Sequence, residues 1–199
     1  MKNKAYILLD RSGSMQNMWR EAIDGINNYV KGLENAEVML AAFDTGGYDV
    51  VRNCSTNHWE PLSYSEVQPR GGTPLLDAAG RIMWSMHDSK ADRAILVVVT
   101  DGYENSSSKF SAKEIKDMTK ELTTTLNYDI VFLGANFDKI GDVAKSNFGW
   151  NDSSRMVHTS AKGFGDAMSS LSAKTSDYFT VGSKATALYN DDELKKFKS

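Results

Sequence analysis

The 199-residue chain contains one cysteine, Cys54, and three prolines. A single cysteine excludes an internal disulfide framework and a zinc site built from several cysteines. Lys and Arg number 23 against 26 Asp and Glu, so there is no surplus of positive charge to indicate binding to nucleic acid or to an anionic membrane. No apolar run approaches the roughly 18 residues that a membrane-spanning helix requires.

Two of the first four residues are lysines, and a short apolar run, residues 5–9, follows them and stops at Asp10. A secretory signal peptide needs an apolar region of about 7–15 residues followed by small residues at a cleavage site. The run is shorter than this and meets a carboxylate, so it predicts a buried first strand. We therefore expect a cytoplasmic protein.

Short β-rich runs alternate with longer stretches of helical periodicity along the chain. Hydrophobic residues make up 41% of the sequence and charged residues 25%, as in ordinary globular domains. The expected strands are residues 6–9, 37–43, 48–53, 94–100, 129–134 and 155–158. The expected helices are residues 19–33, 75–86, 111–126, 137–147 and 161–174.

This alternation favours an α/β fold with a doubly wound, mostly parallel sheet and helices on both faces. The residues Asp44-Thr45-Gly46-Gly47 resemble a hairpin turn, which predicts one antiparallel edge strand. We assign residues 1–174 to the domain. Residues 175–199 are polar, and we expect them to form a C-terminal appendage that packs on the domain.

Three polar segments lie where the carboxyl ends of strands are expected. Asp10, Ser12 and Ser14 follow the first strand, Asp101 follows the central strand, and Thr73 ends a long loop before a helix. Ligands of open α/β sheets collect beyond the carboxyl ends of the strands, so these segments are expected to meet. Together they offer two carboxylates and three hydroxyls. Hard oxygen donors without imidazole or thiolate favour Mg²⁺, with Mn²⁺ or Ca²⁺ as substitutes.

The pattern Asp10-x-Ser12-x-Ser14, followed by Thr73 and Asp101, resembles the metal-ion-dependent adhesion site of von Willebrand factor A domains. The flanking residues resemble the bacterial and phage branch of that family: Gly71-Gly72-Thr73-Pro74-Leu75 with Asp77, and Val98-Val99-Thr100-Asp101-Gly102 with Glu104-Asn105. The resemblance extends from about residue 6 to about residue 171.

The resemblance implies a Rossmann-like fold and a Mg²⁺ site. In it, Ser12, Ser14 and Thr73 are direct hydroxyl ligands, while Asp10 and Asp101 bind the metal directly or through water. We also expect a rim around the metal that contacts a partner, although these residues have the alternative of being ordinary surface. The expected rim consists of Arg11, Met15, Gly72, Tyr103 and Glu104.

The leading functional hypothesis is a non-enzymatic module in which Mg²⁺ accepts a carboxylate from a protein partner. One alternative is an assembly component of a phage complex or of a bacterial stress-response complex similar to the tellurium-resistance group. Another is a metal-dependent phosphohydrolase. The sequence disfavours the hydrolase, because Ser12 stands where an aspartyl-phosphate mechanism needs a second Asp, and there is no phosphate-binding loop of the G-x-x-x-x-G-K-[ST] type.

Overall fold

The fold is a single six-stranded sheet with helices on both faces. The computed structural model describes residues 1–101, 104–134, 137–149, 155–183 and 189–198. The strands are β1 (Asn3–Asp10), β2 (Glu37–Asp44), β3 (Gly47–Ser55), β4 (Arg93–Val99), β5 (Asp129–Gly134) and β6 (Met156–His158).

Five of the six described helices lie where the periodicity predicts a helix, and a short sixth one lies in the expected C-terminal appendage. They are α1 (Trp19–Lys31), α2 (Leu75–Asp88), α3 (Ala112–Lys120), α4 (Phe137–Phe148), α5 (Ala161–Val181) and α6 (Asp191–Lys196). Short 3-10 helices follow β1 and β3 (Gly13–Met18 and Thr56–His58), and a π-helical turn (Glu121–Thr125) extends α3. Among the helices described, none is long and apolar enough to cross a membrane.

The strand order β3-β2-β1-β4-β5-β6 confirms the predicted α/β class. All neighbouring strands are parallel except β2 and β3, which pair antiparallel through the expected hairpin. In this register Asp10 of β1 lies beside Phe43 of β2, and Leu9 lies beside Val99 of β4. The carboxyl ends of the central strands therefore meet at one edge of the sheet.

Alternate residues of β1 enter two separate cores, as the two-residue period of a strand requires. Ile7 and Leu9 pack in the core formed with α1 and α5, whereas Tyr6 and Leu8 pack in the core formed with α2, α3 and α4. Because both faces are covered, the chain is apolar throughout residues 5–9 of β1 and 94–99 of β4.

The C-terminal segment packs on the rest of the domain. The boundary expected after residue 174 lies inside α5, which continues to Val181. Thr175 is fully buried and its hydroxyl accepts a hydrogen bond from Tyr29 of α1 at 3.2 Å. Beyond α5, Tyr189 and Phe197 are buried in the same core as α1. Residues 175–183 and 189–198 are thus part of one packed unit, because aromatic side chains in a polar segment supply the anchoring contacts.

Helices α1 and α5 pack closely at Gly25. We therefore expect that no side chain is tolerated at this position. A Cβ at Gly25 would lie 2.7 Å from the Phe164 ring and 3.0 Å from Met168, both fully buried. We expect Gly25→Ala to lower the free energy of unfolding by about 1–3 kcal/mol through overpacking. The matched control is Gly165→Ala in α5, where a Cβ meets nothing within 4 Å. Urea denaturation of both variants is the measurement, and equal stability of the two would contradict the prediction.

Candidate metal-binding site

Asp10 ends β1 and is completely buried at the sheet edge. Its carboxylate accepts two hydrogen bonds of 2.7 Å, from the backbone N–H of Ser12 and from the hydroxyl of Thr100. Burial, with a smaller contribution from the nearby charge of Asp101, raises the pKa of Asp10 to about 6, although the hydrogen bonds from Thr100 and Ser12 favour the charged form. The carboxylate is therefore held in one orientation in a place where negative charge is costly.

The two serines and Asp101 form a continuous chain of hydrogen bonds beside Asp10. The Ser12 and Ser14 hydroxyl oxygens lie 3.1 Å apart, and the Ser14 hydroxyl donates to the Asp101 carboxylate at 2.8 Å. A hydroxyl that donates its proton to a carboxylate keeps its lone pairs for a further ligand. The structure therefore brings together four of the five residues that the sequence singled out for metal binding.

Thr73 is placed next to this group by backbone contacts. The N–H of Gly13 donates to the carbonyl of Gly71 at 3.0 Å, which ties the loop after β1 to the segment preceding Thr73. Thr73 itself is held by Asn105, whose side-chain oxygen accepts from the Thr73 N–H at 2.9 Å and whose own N–H donates to the Thr73 carbonyl at 3.1 Å. The Thr73 hydroxyl makes no hydrogen bond to any residue in the part of the chain described here.

An ion-pair network centred on the buried carboxylate of Asp44 holds the long loop before α2 against the site. Arg11 Nε and Arg70 Nε both donate to one Asp44 oxygen, at 2.9 and 2.6 Å, and Arg11 also reaches Asp49 at 2.5 Å. The Arg70 N–H donates to the Arg11 carbonyl at 2.7 Å. These contacts join the loop after β1, the long loop before α2 and the β2–β3 hairpin around Arg11, which lies between Asp10 and Ser12 in the sequence.

The donor set fits a hard divalent cation. Within the described ranges, neither Asp10 nor Asp101 forms an ion pair with a lysine, arginine or histidine, since Arg11 is turned towards Asp44. No group of three or more His, Cys, Asp or Glu suited to a metal occurs in these ranges. The candidate set is of another composition, with two carboxylates and three hydroxyls, so a cation would supply the positive charge that the two carboxylates lack.

A family comparison identifies the fold's relatives. Residues 5–104, half of the chain, match the family described as von Willebrand factor type A domains. The chain belongs to this family. A comparison with curated proteins finds no match.

Solved structures show the same A-domain fold at low sequence identity. A von Willebrand factor type A protein from Catenulispora acidiphila has a TM-score of 0.59 and 17% identity, over 88% of this chain and 43% of its own. The vWF domain of the type V pili tip protein Mfa5 from Porphyromonas gingivalis has a TM-score of 0.67 and 11% identity, over 91% of this chain and 96% of its own.

Two pilus proteins are similar only over part of their length. The pilus adhesin SpaC from Lactobacillus rhamnosus GG has a TM-score of 0.67 and 13% identity, over 90% of this chain and 31% of its own. The PilB minor pilin from Streptococcus sanguinis has a TM-score of 0.63 and 12% identity, over 92% of this chain and 63% of its own. This A domain thus spans less than two thirds of several proteins that it resembles.

Two residues expected at the exposed rim of the site have buried side chains, and a third binds neighbouring backbone groups. Arg11 is 6% exposed because its guanidinium is enclosed by the Asp44 network, and Met15 is fully buried in the core beneath the 3-10 helix. Glu104 is half-buried, and its carboxylate accepts from the Leu76 N–H at 2.8 Å and from the segment that follows it. It therefore joins that segment to the start of α2.

Gly72 and Tyr103 are the other two residues expected at the rim. Gly72 is half-buried beside Thr73, and its N–H donates to the Thr45 hydroxyl at 3.1 Å. Tyr103 lies outside the described residues.

Sequence reasoning missed three residues that shape the site. Thr100 orients Asp10, Asn105 holds Thr73, and Arg70 fixes the long loop to Asp44. Thr100 and Asn105 lie close to Asp101 in the sequence, so their roles could have been inferred from that proximity. The role of Arg70 could not be inferred in this way, because its partner Asp44 lies 26 residues away in another element.

The Asp44 network predicts an acid-sensitive contribution to stability. Burial alone would raise the pKa of Asp44, but the hydrogen bond from Arg70 and the charge of Arg11 outweigh it and hold the pKa below its usual value. We expect Asp44→Asn to lower the free energy of unfolding at pH 7 by on the order of 3 kcal/mol, because Arg11 is left buried without its main partner. Asp49→Asn, at an exposed position, should cost about 0–1 kcal/mol.

The pH dependence has a definite sign. Since the folded-state pKa of Asp44 is lowered, its contribution is complete above the unfolded pKa of about 3.9 and is lost as the pH falls through the folded value. The stability difference between wild type and Asp44→Asn should therefore shrink between pH 5 and pH 2 in urea titrations. A difference that stays constant over this range would refute the assignment.

Proposed function

We propose that this A domain is a non-enzymatic protein-binding module that holds Mg²⁺ and engages an acidic residue of a protein partner. The observation that carries the proposal is the grouping of Asp10, Ser12, Ser14 and Asp101 where β1 and β4 end, with the loop that carries Thr73 hydrogen-bonded to the same region. The proposed ligands are Asp10, Ser12, Ser14, Thr73 and Asp101.

The preference for Mg²⁺ follows from the donors. All five are hard oxygen groups, and only two carry charge, so a bound divalent cation would make the site close to neutral and would still accept a further carboxylate. Such an ion supplies Lewis acidity and a coordination position that a carboxylate from another molecule can occupy. The chain's own residues orient the ligands: Thr100 positions Asp10, and Asn105 positions Thr73.

A binding role is favoured over hydrolysis by the surroundings of the five residues. The hydrogen-bond partners of the group are serine, threonine, asparagine and backbone atoms, within the portion of the chain described. A general base for attack on a phosphate ester is usually a His, Glu, Asp or Lys held within hydrogen-bond reach of the nucleophile. Asp10 already accepts two hydrogen bonds that fix it as an acceptor, and Asp101 accepts the Ser14 hydroxyl.

The names of the structural neighbours agree with this proposal without carrying it. SpaC is described as a pilus adhesin and Mfa5 as a pili tip protein. These descriptions belong to those proteins, and identities of 11–13% relate the folds alone. We extend from them only the expectation that this A domain takes part in protein contacts; that it does so through the edge carrying the proposed ligands is our own proposal.

Removal of the two serine hydroxyls tests the metal site directly. We expect Ser12→Ala combined with Ser14→Ala to weaken Mn²⁺ or Mg²⁺ binding by at least about tenfold, because two of five ligands are lost. The fold should be retained, since the two cores contain neither side chain. Isothermal titration calorimetry measures the affinity and circular dichroism the fold. The control is Ser169→Ala, an exposed serine on α5. Undiminished metal affinity in the double variant would refute the ligand assignment.

Partner capture tests the role of the metal in binding. Wild type and Asp10→Asn, used as baits in native lysate with Mg²⁺ or with EDTA, should differ: we expect retention of a partner only by wild type with Mg²⁺. The captured protein is then titrated against both baits in excess Mg²⁺. Equal affinity for the two baits, or equal retention in EDTA, would show that the metal does not mediate the contact.

A further inference from the structure

A pocket adjoins the candidate metal site on the side of the β2–β3 hairpin. It lies between the hairpin turn, the first half of α2 and the segment 106–109, and has a volume of about 250 Å³. This hairpin pocket is lined in part by Asp44, Tyr48, Asp77, Arg81 and Lys109. Its space equals that of several water molecules, at about 30 Å³ each, and suits one short side chain.

The two carboxylates of the hairpin pocket are already satisfied from within the protein. Asp44 accepts from Arg11, Arg70 and the Gly46 N–H. The Asp77 carboxylate accepts from three successive backbone N–H groups, those of residues 108, 109 and 110, at 2.8–3.0 Å. These bonds hold the pKa of Asp77 low against its partial burial. Neither acid is left to bind an incoming cation.

The two basic side chains, in contrast, donate no side-chain hydrogen bond to a described residue, although the charge of Lys109 stabilises the ionised Asp77. Arg81 is exposed on α2, with its guanidinium carbon 4.7 Å from the centre of the Tyr48 ring. Lys109 is exposed on the opposite wall, and neither it nor Arg81 forms an ion pair with a described residue. Tyr48 stays neutral at ordinary pH, because burial raises its pKa to about 12 despite the charge of Arg81. The carboxylates of the pocket are thus occupied by internal donors, whereas its guanidinium and ammonium groups have no hydrogen-bond acceptor among the described residues.

The hairpin pocket is continuous with the proposed metal site. Gly72 lies between Ser106 and Thr45, which both line the pocket. A Cβ at Gly72 would be 2.8 Å from the Ser106 hydroxyl and 3.2 Å from the Thr45 methyl group. Thr73 follows Gly72, and Pro74 lines the pocket again. A peptide whose carboxylate lies beside Thr73 therefore has the pocket within a few residues along its chain.

We propose that the hairpin pocket binds a second carboxylate side chain of the same acidic partner, through Arg81 and Lys109. This inference rests on the proposed function for the first carboxylate and adds a positional requirement: the partner presents two acidic residues close together in sequence. Arginine is suited to this role, because its planar guanidinium can donate two parallel hydrogen bonds to a carboxylate.

The pocket is tested first without the metal site. In EDTA, the ¹⁵N-labelled protein is titrated with sodium acetate at constant ionic strength, and NMR follows the amides of Gly46 and Lys109 and the Arg81 Nε. We expect saturable shifts in wild type and binding weakened by about threefold or more in Arg81→Gln and in Lys109→Gln, the size of one exposed charge contact. Lys31→Gln, which removes an exposed lysine at the end of α1, should leave the binding unchanged.

Three results of this titration would overturn the inference. Shifts that do not saturate would indicate general screening and no site. An equal loss in Lys31→Gln would indicate an effect of net charge alone. Tighter binding of inorganic phosphate than of acetate at the same residues would assign the pocket to phosphate groups and not to carboxylates.

A second titration adds Mg²⁺ and links the two sites. The probes are peptides with two glutamates separated by one to four glycines, each paired with a peptide whose second glutamate is glutamine. We expect at least one two-glutamate peptide to bind wild type about threefold more tightly than its pair, and this ratio to fall to one in Arg81→Gln. A ratio of one in wild type, with binding that still needs Mg²⁺ and Asp10, would overturn the inference and leave the proposed function intact.

Failure of the proposed function has a different signature. Peptide binding would then be equal with Mg²⁺ and EDTA, and equal in Asp10→Asn. If acetate still saturates the hairpin pocket in that case, the pocket stands as a carboxylate site that acts without a metal.

Discussion

The parallel pairing of β1 with β2 and β4 is the constraint on which the site depends. This pairing places Asp10 at the sheet edge with Phe43 on one side and the end of β4 on the other. Thr100 and Asp101 follow β4 directly, so the hydrogen bond from Thr100 to Asp10 forms across neighbouring strand ends. The apolar interior of both strands supplies the free energy that holds polar groups at this edge, because burial of each large aliphatic side chain contributes about 1.5–3 kcal/mol.

The sheet alone does not place the remaining ligands, which come from loops held by polar contacts. Asp44 binds Arg11 and Arg70 together and so connects the loop after β1 with the long loop before α2. Asn105 and Glu104 connect the segment after β4 with Thr73 and with the start of α2. Asp44 and Arg11 are buried and Glu104 is half-buried; such polar groups are costly unless they are paired, and each of these three has hydrogen-bond partners. The pairing gives the loops defined positions around the proposed ligands.

The same pairing determines the charge that the surface presents beside the proposed metal site. Asp44 and Asp77 use their carboxylates on internal donors, so the exposed charges beside them, Arg81 and Lys109, are the ones left for a partner. A cation held by Asp10 and Asp101 would neutralise these two carboxylates next to the pocket and so remove their repulsion of an acidic partner. The proposed acidic partner therefore suits both parts of the edge for a single electrostatic reason.

The strand and helix pattern and the order of the motif residues could be predicted from the sequence, because hydrophobic periodicity and the ends of parallel strands are local signals. Asp10, Ser12, Ser14 and Asp101 were predicted to meet and do so. The sequence did not reveal that Arg11 and Met15 are buried, that Arg70 binds Asp44, or that α5 continues past residue 174. Each depends on which elements pack together: Met15 lies beneath a 3-10 turn and Thr175 against Tyr29, contacts between distant residues that periodicity does not record.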